Sequence, residues 1–224
     1  MMLGSVAAWG NEELTVMTLR VERKLQTRHT LMDAALKLLD EGRSFASLSL
    51  REVTREAGIV PTAFYRHFES MDDLGLALVE STITTLRQLV RGARQHLQTG
   101  NMIISASVKV FLEFVSMNHR EVGFAVRERF GGSTVIRHAI AREIHVFSQD
   151  LAADLLRFPL FNQMRRQDVD MVAGFLVTSV ANAAGEWLEI DQQDELRRVA
   201  YREALVKQLR LVLLGTMAWR PTHP

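Results

Sequence analysis

Four side chains that donate hydrogen bonds lie within six consecutive residues: Thr62, Tyr65, Arg66 and His67. Arg51 adds a guanidinium shortly before them. Groups of this kind contact phosphate oxygens, and a few of them contact base edges when they project from a helix into a DNA groove. The segment is therefore a candidate nucleic-acid contact, provided that the chain holds it on an exposed helix.

The residues around this segment predict two short helices joined by a turn. Ser49 suits the N-cap of a helix that begins at Leu50, and Glu52 completes a capping box. Gly58 suits the left-handed exit from that helix, and Pro61 suits the first turn of the next. Two such helices form a helix-turn-helix, whose second helix can enter the major groove. The alternative interpretation is an ordinary helical hairpin with a solvated polar face.

Several motifs in this region match a known family. They are a first helix at 28–41, Ser-Leu-Ser-Leu-Arg-Glu-Val at 47–53, Ala-Gly-Ile at 57–59 and Phe-Tyr-Arg-His-Phe at 64–68. With these motifs the segment from 27 to 79 resembles the N-terminal domain of the TetR family of bacterial transcription regulators. The resemblance implies contacts to a palindromic DNA operator through Arg51, Thr62, Tyr65, Arg66 and His67.

The same resemblance implies the architecture of the chain. We expect an all-α protein with a flexible N-terminal arm at 1–26 and a three-helix helix-turn-helix DNA-binding domain at 27–71. A helical-bundle domain for ligand binding and dimerisation follows at 72–224. Arg20, Arg23, Lys24 and Arg28 form a basic patch near the end of the arm, where they either grip the DNA backbone or belong to a solvated, frayed start. Met17 is an alternative translation start.

Within the family, the runs at 44–53, 61–68 and 73–76 are similar to the FabR and DesT regulators of unsaturated fatty acid synthesis. This similarity implies a long-chain acyl-CoA effector. Three positions depart from the family pattern. Met71 replaces a lysine that often contacts phosphate, Thr54 replaces the usual alanine where the helices cross, and Val60 replaces a side-chain cap. The departures leave the fold prediction unchanged and put individual operator contacts in doubt.

The composition narrows the class of protein further. The chain has 27 basic and 26 acidic residues, which argues against a broadly polybasic DNA binder. It contains no cysteine, so disulfides and thiol chemistry are excluded. The longest uncharged run, at 171–185, is shorter than the ~20 apolar residues of a membrane span. We expect a soluble cytoplasmic protein with no membrane partner.

The second half of the chain has helical periodicity throughout. We predict helices at 72–97, 102–118, 121–130, 134–156, 167–189 and 193–217. Breaks are expected at 100–101, 131–133, 158–159 and 190–191, where glycine, proline or polar residues cluster. Scarce proline and the absence of strand alternation favour a helical bundle.

Apolar side chains on these helices either fill the core or line a ligand tunnel between them. The family resemblance favours an acyl chain as occupant, with Phe111, Phe114, Phe124, Phe147 and Phe175 as lining residues. Arginines near the glycine loop at 131–132 are candidates for the phosphates of coenzyme A, or are solvated charges paired with neighbouring acids. Those that we assign to the ligand are Arg127 and Arg129; Arg137 and Arg142 complete the cluster.

The last two helices combine small residues with large apolar ones. Ala173, Gly174 and Gly185 permit close helix approach, while Trp187 and Leu209 supply apolar area. In this family such helices from two subunits form a four-helix bundle, so we expect a homodimer that meets an operator with half-sites ~34–36 Å apart. The alternative is packing within one chain.

Enzyme signatures are absent from the sequence. It contains no nucleophile elbow, P-loop or His-Glu-x-x-His motif. His138 and His145 are seven residues apart and lack an evident third ligand, and acids at a helix start such as Asp168 and Asp170 are expected for dipole reasons. We therefore predict a non-enzyme without metal or cofactor. Three hypotheses remain: a repressor sensing acyl thioesters, a repressor sensing another hydrophobic drug or aromatic compound, and a helical lipid carrier.

Overall fold

The structure is a computed structural model that describes residues 6–40, 42–95, 100–159 and 161–218. Every regular element within these ranges is helical, which confirms the predicted all-α fold class. The described α-helices are α1 (Val6–Leu39), α2 (Leu50–Glu56), α3 (Pro61–Phe64), α4 (Met71–Gln95), α5 (Gly100–Met117), α6 (His119–Glu128), α7 (Thr134–Leu155), α8 (Arg166–Glu189) and α9 (Glu195–Met217). A short 3₁₀ helix at Phe45–Ser47 precedes α2.

The first helix is much longer than the sequence pattern predicts. We expected a start at Arg28 after a separate arm at 1–26, whereas α1 begins at Val6. From Asn11 to Leu39 the chain has no glycine or proline, so no residue there carries a high intrinsic cost in a helix. The basic patch of the expected arm therefore lies along α1.

The chain divides into two compact units, Met1–Ala77 and Leu78–Pro224. The division falls inside α4, a few residues beyond the boundary at 71 that the sequence pattern predicts. The first unit contains α1, α2 and α3 around a small apolar core. Leu31, Val53 and Phe64 in this core are fully buried, and burial of this kind stabilises such short helices more than their intrinsic propensity does.

The second unit is a bundle in which α5 to α9 share one apolar core. Val108 and Leu112 of α5 pack in the same cluster as Val169 and Leu176 of α8. Helices α7 and α8 make the most extensive contact of any pair. These helices begin and end within a few residues of the predicted bounds. The predicted break at 100–101 is wrong, because α5 already begins at Gly100, where a first-turn residue needs no intrahelical N–H partner.

A polar network joins three helices of this bundle. The hydroxyl of Ser116 on α5 accepts hydrogen bonds from Trp187 Nε1 of α8 at 2.9 Å and from Arg198 Nη2 of α9 at 2.6 Å. The Arg198 guanidinium also lies 4.0 Å from the centroid of the Trp187 ring. Trp187 is 5 % exposed, so its indole N–H cannot bond to water. Without Ser116 this buried donor would be unpaired, which is costly.

Among the described residues, one helix, α8, is long and apolar enough to cross a membrane by length and composition. Several of its apolar side chains, including Val172 and Ala173, are buried in the core of the second unit. A core helix of a bundle has the same composition, because it is apolar on more than one face.

Candidate nucleic-acid interface and ligand cavity

The predicted capping box and left-handed glycine of the helix-turn-helix are both present in the structure. Ser49 accepts a hydrogen bond from the Glu52 amide, and the Glu52 carboxylate accepts one from the Ser49 amide, which confirms the capping box. The Ser49 hydroxyl also donates to this carboxylate at 2.8 Å, and this bond, the bond from the Ser49 amide and the neighbouring Arg43 lower the pKa of Glu52 to about 2. Gly58 has φ +67°, a left-handed conformation that is strained for residues with a Cβ.

The second helix of the motif is a single α-helical turn that begins with Pro61. Hydrogen-bonded turns extend it, because the amides of His67 and Phe68 donate to the Phe64 carbonyl at 2.9 and 3.0 Å. Val60 occupies its N-cap position and makes no side-chain capping bond, as the sequence predicts. Residues Pro61 to Phe68 therefore form one tightly wound stretch of chain that contains these donors, the recognition segment.

Most of the predicted DNA-contact residues lie on the outside of this motif. Thr62 and Arg66 are exposed, and Tyr65 is 65 % exposed. Arg51 is exposed on α2. The opposite side of the motif is apolar: the Phe64 and Phe68 rings are buried 5.5 Å apart. The solvent-facing side thus has donors for phosphate or base edges, as a DNA-contacting helix requires.

His67 differs from the other predicted contacts because its ring is half-buried. Burial lowers the pKa of His67, and the positive charges of Lys24, Arg28 and Arg66 lower it further. The ring atom Nδ1 is buried with no hydrogen-bond partner among the described residues. The surroundings of His67 therefore disfavour a further positive charge on its ring.

Arg28 holds the end of the recognition segment against α1. Its Nη1 donates to the main-chain oxygen of His67 at 2.6 Å, and its guanidinium lies 4.2 Å from the centroid of the Phe68 ring. The sequence placed Arg28 in a basic patch that grips DNA or is solvated. In the structure its guanidinium is engaged within the unit, and no local sequence signal predicts this bond across 39 residues.

Thr54 fits the helix crossing although it replaces the usual small residue. It is 1 % exposed, and its hydroxyl donates to the Leu50 carbonyl at 2.9 Å. The buried polar group is therefore satisfied within its own helix.

A cavity of about 600 Å³ lies within the second unit. This volume is inside the range of about 300–1,000 Å³ that is common for small-molecule sites. Helices α4 to α9 and the segment after α7 line it, and 26 of the 30 lining residues are apolar. Among the described residues, the polar members of the lining are Thr82, Ser107, Arg129 and Arg210. The lining favours a mostly apolar ligand with a small number of polar contacts.

The cavity contains some of the predicted ligand residues and not others. Phe111, Phe147 and Arg129 line it. Phe114 and Phe124 are outside the lining, at 2 % and 1 % exposure, so they belong to the packed core. Helical periodicity identifies an apolar stripe, but it cannot tell a side chain packed on its neighbours from one that borders a void.

Two further predicted residues also lie outside the lining. Arg127 is exposed on α6, and Phe175 is 57 % exposed on α8. Arg137, another member of the arginine cluster, donates from Nη1 to the carbonyl oxygen of Gly131 at 2.6 Å and so supports the loop before α7. Of the two arginines assigned to the ligand, Arg129 alone borders the cavity.

Arg129 is oriented by neighbours on two sides. Its Nη1 donates to Asn182 Oδ1 at 2.7 Å, and its guanidinium lies 5.4 Å from the Phe130 ring centroid. Arg210 of α9 is exposed and lines the same cavity. Two cationic groups therefore border a cavity whose other walls are almost wholly apolar.

The sequence analysis missed Thr82, Ser107 and Arg210 as lining residues. A signal existed for Ser107, since it interrupts an apolar stripe at Ile103 and Phe111 with a spacing of four residues on each side. For Thr82 and Arg210, which lie on the first and last helices of the cavity wall, the periodicity contains no comparable signal. Within the described residues, no cluster of three or more histidine or acidic side chains has a metal-site arrangement.

Two protein-family models match this chain. The model of bacterial regulatory proteins of the tetR family matches residues 31–78. The model of the tetracyclin repressor-like C-terminal domain matches residues 101–214. The two matches fall on the helix-turn-helix and on the helices that surround the cavity.

Solved structures of similar fold include regulators of fatty acid metabolism. The fatty acid degradation regulator FadR from Bacillus halodurans is 15% identical with a TM-score of 0.68, over 87% of this chain and 97% of that one. FadR from Bacillus subtilis in complex with stearoyl-CoA is 14% identical with a TM-score of 0.67, over 81% and 96%. A tetR-family regulator from Streptomyces coelicolor is 17% identical with a TM-score of 0.64, over 87% and 83%. At these identities the similarity shows a shared fold.

Proposed function

The chain belongs to the TetR family of bacterial transcriptional regulators, and we propose that it is a homodimeric cytoplasmic repressor that senses long-chain fatty acyl thioesters. The observation that carries the proposal is the cavity of about 600 Å³, whose described lining is apolar except for two arginines and two hydroxyl residues. An acyl chain matches the apolar walls. The phosphates of coenzyme A match the guanidinium groups of Arg129 and Arg210.

The DNA-binding half of the proposal rests on the exposed face of the helix-turn-helix. Thr62, Tyr65 and Arg66 contact operator DNA, and Arg51 contacts the DNA phosphate backbone beside them. His67 is half-buried, so it offers less of its side chain to DNA than its exposed neighbours do. In a repressor of this type, ligand binding shifts the equilibrium between conformations with different DNA affinity, by as much as the ligand prefers one of them.

The effector class rests on the cavity and on one solved relative. The FadR protein from Bacillus subtilis has the same fold and is in complex with stearoyl-CoA. The motif similarity to the FabR and DesT regulators further points to genes of unsaturated fatty acid synthesis or desaturation as targets. In such a regulator the length and unsaturation of the acyl chain would determine how well the thioester fits the cavity, and so how strongly it regulates DNA binding.

The dimer is proposed from an exposed apolar surface on α8 and α9. Phe175 on α8 and Leu211 and Leu214 on α9 are each more than half exposed. Apart from chain neighbours and the backbone of its own helix, no described residue places an atom within 4 Å of a Cβ built on Gly174 or Gly215, so these glycines leave room for a close partner. Apolar surface flanked by small residues is typical of helix-packed interfaces. Phe175 is accordingly assigned to the dimer interface, where sequence reasoning assigned it to the ligand.

Fluorescence anisotropy tests the proposal by comparing the affinity of the protein for promoter DNA of fatty-acid desaturation genes with its affinity for scrambled DNA. Palmitoyl-CoA and oleoyl-CoA are then added in separate titrations. The wild-type protein binds the promoter selectively, and the thioesters change its affinity. Arg66→Ala loses DNA affinity yet still binds palmitoyl-CoA in calorimetry. Ile104→Trp, which fills the cavity from α5, keeps DNA affinity and loses the response. Arg142→Ala, at an exposed site, is the matched control and behaves as wild type.

Each failure has a separate meaning in this experiment. Absence of selective binding to any desaturation promoter would refute the proposed target genes. Selective binding that neither thioester changes would refute the acyl-CoA effector and leave the repressor. One observation favours an aromatic effector in that case, namely the rings of Phe111, Phe147, Phe158 and Phe161 in the lining. A set of aromatic compounds in the same assay then tests the second candidate.

A further inference from the structure

Ser107 is the one polar lining residue of the cavity whose side-chain oxygen is buried with no hydrogen-bond partner among the described residues. It lies on α5 in the middle of an apolar face. Ile103 and Ile104 line the cavity one turn before it, and Val108 and Phe111 line it beside and after it. A hydroxyl in such surroundings is expensive unless it is hydrogen-bonded.

Several other helical hydroxyl groups in the described residues avoid that cost within their own helix. Ser148 donates to the Ile144 carbonyl at 2.9 Å, and Ser179 donates to the Phe175 carbonyl at 2.8 Å. Thr82, which also lines the cavity, donates to the Leu78 carbonyl at 2.8 Å. This bond to the residue four positions earlier is the usual solution for serine and threonine in a helix. Ser107 does not make it, so its donor remains available to a ligand.

We propose that Ser107 is a specificity-determining residue that donates a hydrogen bond to the carbonyl oxygen of the acyl ligand. The inference rests on the proposed effector site and names the polar atom that the site recognises. It divides the ligand into three recognised parts. The apolar walls hold the chain, Ser107 holds the carbonyl, and the arginines hold the phosphates.

The surroundings of Ser107 favour a neutral carbonyl over a charged group. A carboxylate or phosphate buried between Ile104 and Val108 would need a cation beside it to offset its loss of hydration. A single hydroxyl supplies one donor, which is what a thioester carbonyl accepts. The guanidinium of Arg129 is oriented by Asn182 on α8, whereas Ser107 lies on α5. A neutral donor and a cationic group at separate points of one cavity match an acyl thioester.

Calorimetric titration with two ligands tests this assignment directly. Palmitoyl-CoA has the thioester carbonyl, whereas S-hexadecyl-CoA has the same sixteen-carbon chain and headgroup joined by a thioether without it. We expect the wild-type protein to bind palmitoyl-CoA about tenfold more tightly, a factor typical of one buried hydrogen bond. Ser107→Ala loses this preference, and Ser107→Cys, with a weaker donor of similar size, keeps part of it.

Ser148→Ala is the matched control, because it removes a half-buried helical hydroxyl outside the cavity lining. It should retain the tenfold preference. Without ligand, Ser107→Ala should melt at a temperature equal to or higher than the wild type, because the variant removes an unpaired buried hydroxyl. A large drop in melting temperature would mean that Ser107 has a structural partner, and would overturn the proposal.

The remaining outcomes separate this inference from the proposed function. If the wild-type protein binds both ligands with equal affinity, or if Ser107→Ala weakens both equally, the carbonyl assignment is wrong while the acyl-CoA effector stands. If the wild-type protein binds neither ligand, the acyl-CoA effector itself is wrong, and the assignment of Ser107 to its carbonyl is overturned with it.

Discussion

Replacement of Arg28 by methionine should loosen the end of the recognition segment without unfolding the protein. The Arg28 guanidinium makes a 2.6 Å hydrogen bond to the His67 carbonyl and lies 4.2 Å from the Phe68 ring centroid. A hydrogen bond from a charged group contributes about 1.5–3 kcal/mol, and a cation–π contact at a partly exposed site contributes about 0.5–1 kcal/mol. Because one guanidinium makes both contacts, we expect a joint loss of about 2 kcal/mol.

Native-state hydrogen exchange measures this loss at the residues concerned. The amides of His67 and Phe68 are hydrogen-bonded to the Phe64 carbonyl, so their exchange reports the opening of this segment. A change of about 2 kcal/mol corresponds to exchange that is about 30-fold faster in Arg28→Met. Arg20→Met is the control, since it removes the same charge from an exposed position on α1 and should leave these two amides unchanged.

The assay also separates positioning from direct DNA contact. If Arg28 only positions the recognition segment, Arg28→Met lowers operator affinity but leaves the salt dependence of binding unchanged. A reduction of the salt slope by about one would identify Arg28 as a phosphate contact. Exchange rates at His67 and Phe68 within about twofold of the wild type would refute the stabilising role of Arg28, because a loss of about 2 kcal/mol predicts a much larger increase.

Two further predictions concern the half-buried His67 and the hydrogen-bond network around Ser116. The lowered pKa of His67 means that the folded state disfavours the protonated ring, so the free energy of unfolding should fall as the pH drops below about 6.5, the unfolded value. Denaturation of the wild type and His67→Asn at several pH values checks this, and an identical pH dependence would contradict it. Ser116→Ala should destabilise the second unit by about 1–3 kcal/mol, because Trp187 and Arg198 lose a shared acceptor. Chemical denaturation followed by intrinsic tryptophan fluorescence measures this loss, with Ser179→Ala as the control, and equal midpoints for the two variants would count against the network.

The helix-turn-helix could be predicted closely because its signals are local. The capping box of Ser49 and Glu52, the left-handed Gly58 and Pro61 at the start of α3 are each determined by interactions within a few residues. The TetR-family assignment follows from the same stretch of sequence and is confirmed by the family models. The similarity to the FabR and DesT subgroup, in contrast, remains a prediction.

The start of the first helix shows a limit of local signals. The flexible arm at 1–26 was expected from the family resemblance, whereas the structure has α1 from Val6. The residues just before Arg28 contain no glycine or proline that would mark a break in the helix. Capping rules locate a helix end only where a residue strongly destabilises the helix or its side chain forms a capping hydrogen bond. A continuous run of adequate helix formers contains neither, and the boundary was missed by about twenty residues.

The sequence by itself determined the all-α fold, the exposed donors of the recognition segment and the apolar character of the second unit. Only the tertiary structure decided which apolar side chains border a void. Phe111 and Phe147 line the cavity, while Phe114 is packed in the core and Phe175 is exposed. Periodicity specifies the direction of a side chain from its own helix, whereas a cavity depends on how far six helices stand from one another. The bond of Arg28 to His67 and the unpaired hydroxyl of Ser107 arise in the same way, from contacts made or left unmade when the chain packs.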